Sequence, residues 1–126
     1  MIPAKSHNMP NDNVSNLARR YFGAYENKDR RFVEDVLSEG FTFSSPLDDH
    51  IDKKTYFERC WPNSSKIRSL KIEKLFAAGS EVFVHYKSEL FDGATFRNIE
   101  LLSFEGNKLA AVDVYFGRTL QEAGIP

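Results

Sequence analysis

The chain of 126 residues, 41% of them hydrophobic, is long enough for one folded domain and too short for two sizeable cores. Its 17 Lys and Arg residues and 18 Asp and Glu residues give a net charge of -1, which argues against a basic nucleic-acid-binding domain. A single cysteine excludes an intrachain disulfide framework and a cysteine-rich zinc site, and no apolar run approaches the ~20 residues of a membrane span. Because the first residues also lack a signal-peptide pattern, we expect a cytoplasmic protein with no nucleic-acid or membrane partner.

The first part of the chain carries the periodicity of helices. Apolar residues recur at helical spacing over residues 14–25 and predict a long first helix. A second helix is predicted over residues 29–37, capped by its first residue, and Gly40 is suited to a left-handed position after it. Asp52 is placed to cap a third helix over residues 53–61.

Strand-like alternation takes over in the rest of the chain. A short strand is predicted over residues 41–45, where Pro46 ends it, and residues 47–51 are interpreted as a polar loop. Four further strands, joined by short turns, are predicted over residues 67–77, 81–90, 95–104 and 109–116. Helices followed by an antiparallel meander are typical of an α+β fold, with the helices packed on one face of a curved sheet.

Three stretches of the sequence, residues 20–46, 96–104 and 112–117, carry a resemblance to a known superfamily. Their order and spacing resemble the nuclear transport factor 2-like superfamily, which includes SnoaL-like polyketide cyclases and steroid delta-isomerases. The resemblance implies a cone in which three N-terminal helices pack on a strongly curved, mainly antiparallel sheet and enclose a pocket. We expect this domain to cover residues 13–117, between a mobile N-terminal tail (1–12) and a C-terminal tail (118–126).

Tyr21 and Glu100 are the first candidate catalytic residues. Tyr21 lies on the apolar stripe of the first predicted helix, and Glu100 shares a strand face with Leu102 and Phe104. The steroid isomerases have a tyrosine and an acidic residue at these positions, so the resemblance implies that the two side chains hold a carbonyl oxygen. Glu100 would then be desolvated, with a raised pKa, and within hydrogen-bonding reach of Tyr21 directly or through one water. The alternative is a core tyrosine and a surface glutamate.

Ser45 argues against isomerisation by the mechanism of the steroid isomerases. Those enzymes place a carboxylate base on the first short strand just before a proline, where this chain has Ser45 and Pro46. A serine hydroxyl without an activating partner does not act as a base near neutral pH. Asp48 and Asp49 follow closely, and we interpret them as solvated carboxylates of a loop.

Two further titratable residues lie on predicted strands. His85 is the third candidate catalytic residue, since dehydratases of the superfamily use histidine as a base. Strand alternation instead favours the outer face of the sheet, beside Lys87, and both interpretations stay open. Asp113 is predicted to be non-catalytic and to pair with Lys87 or Arg97 across strands. The histidines show no metal-ligand spacing, and neither a metal nor a cofactor is predicted.

The aromatic content of 13% fits a mostly apolar ligand pocket. The residues predicted to contact a ligand are Phe43, Phe57, Trp61, Asn98, Val114 and Phe116. Cys60 is interpreted as a small buried apolar residue with no role as a nucleophile.

Two functions are compatible with the sequence. The first is a cofactor-independent enzyme that binds a small apolar carbonyl-bearing molecule and catalyses proton transfer, as an isomerase, a dehydratase or a cyclase. The second is a non-catalytic module of the same fold that binds a small ligand or acts in a dimeric interaction. We also expect a homodimer, because Phe83 and Tyr115 interrupt the polar pattern of the outer sheet face.

Overall fold

The computed structural model describes residues 10–119 and contains the three predicted helices. They are α1 (Pro10–Asn27), α2 (Arg30–Val36) and α3 (Lys53–Arg59), and a 3-10 turn (Trp61–Lys66) follows α3. The Asp29 carboxylate accepts the Phe32 N–H and the Asp52 carboxylate accepts the Thr55 N–H, so both predicted N-caps are confirmed. No helix within residues 10–119 is long and apolar enough to cross a bilayer.

Six strands form one open, curved sheet: β1 (Leu37–Ser45), β2 (Asp48–Asp52), β3 (Ile67–Ala78), β4 (Glu81–Leu90), β5 (Thr95–Glu105) and β6 (Lys108–Thr119). Their order is β2-β1-β6-β5-β4-β3, and every neighbouring pair is antiparallel except the parallel pair of β1 and β6. The predicted meander and the α+β fold with a mainly antiparallel sheet are confirmed. Of the predicted tails, residues 10–12 belong to α1 and residues 118–119 to β6, and the remainder lies outside the described residues.

The polar segment after β1 is a strand, so the loop predicted over residues 47–51 is wrong. Strand β2 pairs with β1 across a two-residue turn, with Ser45 directly opposite Asp48. Because β2 is an edge strand that buries little, polar residues are tolerated and the apolar alternation of inner strands is missing. Gly40 is a second correction: it lies within β1 rather than in a left-handed cap, because the chain enters the strand directly at Leu37.

The core lies between the helices and the inner face of the sheet, which is the face that the helices cover. In β4 the side chains of Val82, Val84, Tyr86 and Ser88 are buried, and those between them are exposed or half-buried. Helix α1 buries a stripe at helical spacing that includes Ala18, which is completely buried. Burying one large apolar side chain is worth about 1.5–3 kcal/mol. The same alternation also places polar side chains of neighbouring strands on the inner face, which the helices cover.

Candidate functional site

A cavity of about 220 Å³ lies between helices α1 and α3 and the inner face of the sheet. Strand alternation brings side chains of β4, β5 and β6 to its wall, and α1 supplies three aromatic rings. The wall is mostly apolar, and its polar side chains are Tyr21, Tyr25, Ser45, Asp48, Tyr56, Asn63, Tyr86, Ser88, Asn98 and Glu100. A wall of mostly apolar surface on which polar groups converge is typical of sites for small molecules.

Glu100 is the acidic residue of β5 at the cavity wall. Its Oε2 accepts a hydrogen bond from the Tyr86 hydroxyl at 2.8 Å. The residue keeps some accessible surface, but its Oε1 is buried and has no hydrogen-bond partner among the described side chains of residues 13–117. Burial raises the pKa of Glu100 to about 7, although the Tyr86 hydrogen bond acts in the opposite direction. The carboxyl group can therefore bind and release a proton near neutral pH.

A chain of hydrogen bonds leads from Glu100 to the last strand. The Asn98 Nδ2 group donates to the Tyr86 hydroxyl oxygen at 3.2 Å, and Asn98 Oδ1 accepts the Gly117 backbone N–H at 3.1 Å. Asn98 is buried and lines the cavity. Each end of its amide makes one hydrogen bond to the protein, and these two bonds leave one hydrogen of the NH2 group for the predicted ligand contact.

Three phenols form a second network on the helical wall of the cavity. The hydroxyl oxygens of Tyr21 and Tyr56 are 2.9 Å apart, and Tyr56 donates to the Tyr25 hydroxyl at 2.7 Å. Burial raises the pKa of all three phenols well above the ordinary value, so each of them stays neutral. The direct hydrogen bond expected between Tyr21 and Glu100 is not formed, because Tyr21 bonds to Tyr56 and Glu100 bonds to Tyr86.

His85 lies on the outer face of the sheet, away from the cavity. It alternates with Val84 and Tyr86, whose side chains are buried on the inner face. Its Nδ1 lies 3.6 Å from Glu73 Oε1, and His85 is not one of the described residues at the cavity wall. The assignment of His85 as a catalytic residue is therefore corrected, and the outer-face alternative holds.

Asp113 also lies away from the cavity wall. Its carboxylate accepts a hydrogen bond from the Tyr115 hydroxyl at 3.3 Å. Arg97 instead donates to the Glu73 carboxylate through two bonds of 2.7 and 3.0 Å. Within residues 10–119 no ion pair joins Asp113 to Lys87 or Arg97, so that predicted pairing is wrong.

Four of the six predicted ligand contacts lie at the cavity wall: Phe43, Asn98, Val114 and Phe116. Phe57 and Trp61 lie one layer behind it, which corrects their assignment. The ring of Phe57 packs on Tyr56 with centroids 5.3 Å apart, and the ring of Trp61 packs on Tyr25 at 4.9 Å. These two residues therefore support the phenol network. The apolar face of a helix identifies which side chains are inside but not how deep they lie.

Asp48 lies at the cavity wall, a position that the sequence pattern does not indicate. As the direct cross-strand neighbour of Ser45, it lies on the same face of the β1–β2 hairpin. Its side chain is 9% exposed, and its Oδ1 lies 2.7 Å from the Arg59 guanidinium, at an angle unsuited to a hydrogen bond. The interpretation of Asp48 as solvated is wrong, whereas the Asp49 side chain is 93% exposed.

Cys60 is the cysteine of the chain, and it contributes a thiol to the cavity wall. Cys60 lies at the cavity wall, and burial raises the pKa of its thiol to about 11. The thiolate is therefore scarce at neutral pH. Cys60 is half-buried rather than buried as the sequence predicts, because it lies at the cavity wall. Among the described side chains of residues 13–117, no group of three or more His, Cys, Asp or Glu could hold a metal ion.

Comparison with known proteins identifies the fold. No protein-family model and no curated protein matches the chain. Among solved structures, a nuclear transport factor 2-like protein of unknown function from Cytophaga hutchinsonii is 21% identical, and the match covers 82% of this chain and 88% of that chain with a TM-score of 0.68.

Two further solved structures show how varied the matching proteins are. An LEH-like epoxide hydrolase from M. tuberculosis is 15% identical over 90% of this chain and 96% of that chain, with a TM-score of 0.71. A hypothetical protein with a ketosteroid isomerase-like fold from Catenulispora acidiphila, in complex with trimethylamine, is 15% identical over 87% and 93%, with a TM-score of 0.66. At these identities the likeness concerns the fold alone: the chain has the nuclear transport factor 2-like fold, as the sequence predicts.

Proposed function

We propose that the chain is a cofactor-independent enzyme that catalyses proton transfer on a small apolar molecule bearing a carbonyl group, as an isomerase, a dehydratase or a cyclase. The observation that carries the proposal is Glu100, a carboxyl group at the wall of an apolar cavity whose pKa burial raises to about 7. General acid–base catalysis is most effective when the pKa of the catalytic group lies near the working pH.

Glu100 is the group that removes and returns the proton. Its ionised form takes a proton from the carbon next to the substrate carbonyl, and the electron pair of the broken C–H bond moves into an enolate. The protonated carboxyl group then returns that proton, either to the same carbon or to another carbon of the enolate. The low polarity of the surrounding wall keeps water from competing for the proton.

The phenol network is suited to hold the carbonyl oxygen of the substrate. Tyr56 donates its hydrogen to Tyr25, so the Tyr25 hydrogen is not used in that bond and can go to a ligand oxygen. Tyr21 then donates to Tyr56, whose own hydrogen is already engaged. A donor fixed in this way favours the negative charge that develops on an enolate oxygen. In this mechanism Tyr25, rather than Tyr21, contacts the substrate.

The size of the cavity limits the substrate. An apolar cavity of ~150 Å³ holds benzene, and drug-sized ligands occupy pockets of ~300–1,000 Å³. The volume of about 220 Å³ lies between these values. We therefore propose a substrate of one or two rings rather than a larger ring system.

A non-catalytic ligand-binding module is the second candidate, and the state of the other cavity carboxylate favours it. Asp48 is held by Arg59, and its cross-strand neighbour Ser45 supplies no carboxylate. Such a module would use neutral Glu100 as a hydrogen-bond donor and release its ligand unchanged.

Deuterium exchange into ketones distinguishes the two candidates. One- and two-ring ketones are incubated with the protein in D2O, and loss of the hydrogens next to the carbonyl is followed by NMR. We expect the wild-type protein to accelerate the exchange. The acceleration by Glu100→Gln should be about 100-fold smaller than that by the wild type. His85→Gln is the control and should keep it, because His85 lies on the outer face.

Binding of the same ketones, measured by chemical-shift changes, should persist in Glu100→Gln, which keeps the shape of the side chain. Ketone binding to the wild-type protein without any accelerated exchange would support the binding module and overturn the enzyme proposal. Equal loss of exchange in Glu100→Gln and His85→Gln would overturn the role of Glu100.

We also propose that the chain forms a homodimer through the outer sheet face. Phe76 and Phe83 lie opposite each other on β3 and β4, and Ile99 and Tyr115 lie opposite each other on β5 and β6. All four are exposed, by 69%, 47%, 39% and 53% respectively. Apolar side chains spread over four neighbouring strands are typical of a surface that another protein covers. We propose a second copy of this chain as that protein.

A further inference from the structure

We propose that Asn98 and the β-bulge at Gly117 form a positioning device that fixes the direction of the hydrogen bond from Tyr86 to Glu100. Asn98 and Gly117 act through Tyr86 and are positioning residues, not catalytic ones. The inference rests on the proposed role of Glu100 in proton transfer.

The bulge arises where β6 has one residue more than β5. Between Phe96 and Asn98 the register with β6 shifts by one, so residues 117–118 together face Arg97. Gly117 approaches β5 so closely that a Cβ there would overlap the Arg97 carbonyl oxygen. Its N–H donates to the Asn98 side chain at 3.1 Å instead of to a backbone carbonyl. The bulge thus supplies a main-chain donor to a buried side chain.

That donor fixes the orientation of the Asn98 amide. A backbone N–H can only donate, so the Asn98 atom that faces Gly117 is the oxygen. The other end of the amide is then the NH2 group, which can only donate, and it faces the Tyr86 hydroxyl oxygen at 3.2 Å. Tyr86 has one hydroxyl hydrogen, which is directed to Glu100 Oε2 at 2.8 Å. A main-chain group therefore sets the direction of every bond in the chain.

The fixed donor at Oε2 decides which Glu100 oxygen binds the proton. Because Oε2 accepts from Tyr86, the proton binds at Oε1, which has no hydrogen-bond partner among the described side chains of residues 13–117. The Tyr86 hydroxyl oxygen accepts from Asn98, so a neutral Glu100 cannot donate its proton to Tyr86. If the Tyr86 hydroxyl could rotate freely, it could accept that proton and stabilise the neutral form. The fixed hydroxyl therefore favours the ionised form of Glu100. The titratable groups that face Glu100 are Tyr86 of β4 and Tyr21 and Tyr25 of α1, and β6 places the apolar Val114 opposite it.

The test compares the pKa of Glu100 in four proteins: the wild type, Asn98→Leu, Tyr86→Phe and the double variant. The pKa is measured from the pH titration of the 13C-labelled carboxyl group by NMR. We expect Tyr86→Phe to raise it by about one unit, a tenfold change in proton affinity, and Asn98→Leu to raise it by less. In the Tyr86→Phe background Asn98→Leu should have no further effect. Ser88→Ala removes another buried hydroxyl of the inner face and should leave the pKa unchanged.

An unchanged pKa in Asn98→Leu, or an equal rise in both backgrounds, would overturn the proposal. If a variant does not fold, exchange of the Gly117 amide hydrogen with D2O in the wild-type protein gives a second measurement. A hydrogen held by Asn98 should exchange slowly, and fast exchange would contradict the device. Neither measurement needs a substrate. If the effect of Asn98→Leu on the pKa of Glu100 depends on Tyr86 but no ketone exchange is accelerated, the activity alone is rejected. If ketone exchange is accelerated but the effect of Asn98→Leu does not depend on Tyr86, the device alone is rejected.

Discussion

Asp48 lies directly opposite Ser45 across the two-residue turn that joins β1 and β2, and both residues line the cavity. The carboxylate of Asp48 therefore lies beside Ser45, whose own side chain has only a hydroxyl group. The Arg59 guanidinium, 2.7 Å from Asp48, compensates this charge. Glu100 is left as the cavity carboxyl group without an ionic partner among the described residues, and it is therefore the group to which we propose that a proton transfer belongs.

Replacing Asp48 tests its buried position. Asp48→Asn leaves Arg59 without its partner, and we expect the free energy of unfolding to fall by about 1 kcal/mol, since the Arg59 side chain is itself 58% exposed. Asp49→Asn is the matched control and should change the value by less than ~0.5 kcal/mol. Urea unfolding near pH 7 measures both variants, and equal effects would contradict the different burial of the two residues.

Glu100 makes the protein less stable as the pH rises. Its pKa is about 7 in the folded protein against an ordinary value of 4.5, so the folded state holds the proton more tightly than the unfolded state. Stability therefore falls between these two pH values, by up to about 3 kcal/mol. The side chain of Glu100→Gln does not titrate, so this variant does not lose stability in this way. Its free energy of unfolding relative to that of the wild type should therefore increase by up to about 3 kcal/mol from about pH 4 to about pH 8.

Urea unfolding of both proteins at the two pH values measures this change. Glu81→Gln, on the exposed face of β4, is the control and should differ from the wild type by the same amount at both pH values. A difference between Glu100→Gln and the wild type that does not vary with pH would show that Glu100 is not desolvated.

Tyr56 joins the three phenols, so removal of its hydroxyl leaves two buried hydroxyls, those of Tyr21 and Tyr25, without that partner. We expect Tyr56→Phe to lower the free energy of unfolding by about 1–3 kcal/mol. Tyr115→Phe removes an exposed hydroxyl and should change it by less than ~0.5 kcal/mol. Chemical denaturation compares the two, and a loss in Tyr56→Phe no greater than that in Tyr115→Phe would reject the network.

The proposed dimer predicts a specific effect of charge on the outer sheet face. Sedimentation equilibrium at tens of micromolar should give a dimer for the wild type and a monomer for Phe83→Asp. Phe91→Asp is the control, because Phe91 is 63% exposed in the turn between β4 and β5. It should remain dimeric. A monomeric wild-type protein at this concentration would contradict the dimer.

Much of the fold could be predicted because helix and strand periods leave a strong trace in the sequence. Asp29 and Asp52 mark the starts of two helices, and Val82 and Val84 follow the strand period of β4. Strand β2 could not be predicted in the same way. As a polar edge strand, it depends on main-chain hydrogen bonds to β1, which leave no apolar pattern.

The residues of the candidate site were easier to predict than their partners. The strand period places Glu100 on the inner face, but it does not say which buried phenol meets the carboxyl group. That choice depends on the register of β4 against β5, which puts Tyr86 within reach, and on the docking of α3, which gives Tyr21 the partner Tyr56. The depth of Phe57 behind the cavity wall follows from the same docking.

A direct titration of Glu100 tests the proposed proton-transfer site most directly. The carboxyl resonances of the 13C-labelled wild-type protein are followed by NMR against pH, and the signal of Glu100 is identified by its absence in Glu100→Gln. We predict a midpoint near 7, with Glu100 divided between its two forms at neutral pH. A midpoint near the ordinary value of 4.5 would contradict this, because Glu100 would then be fully ionised at neutral pH and unsuited to return a proton.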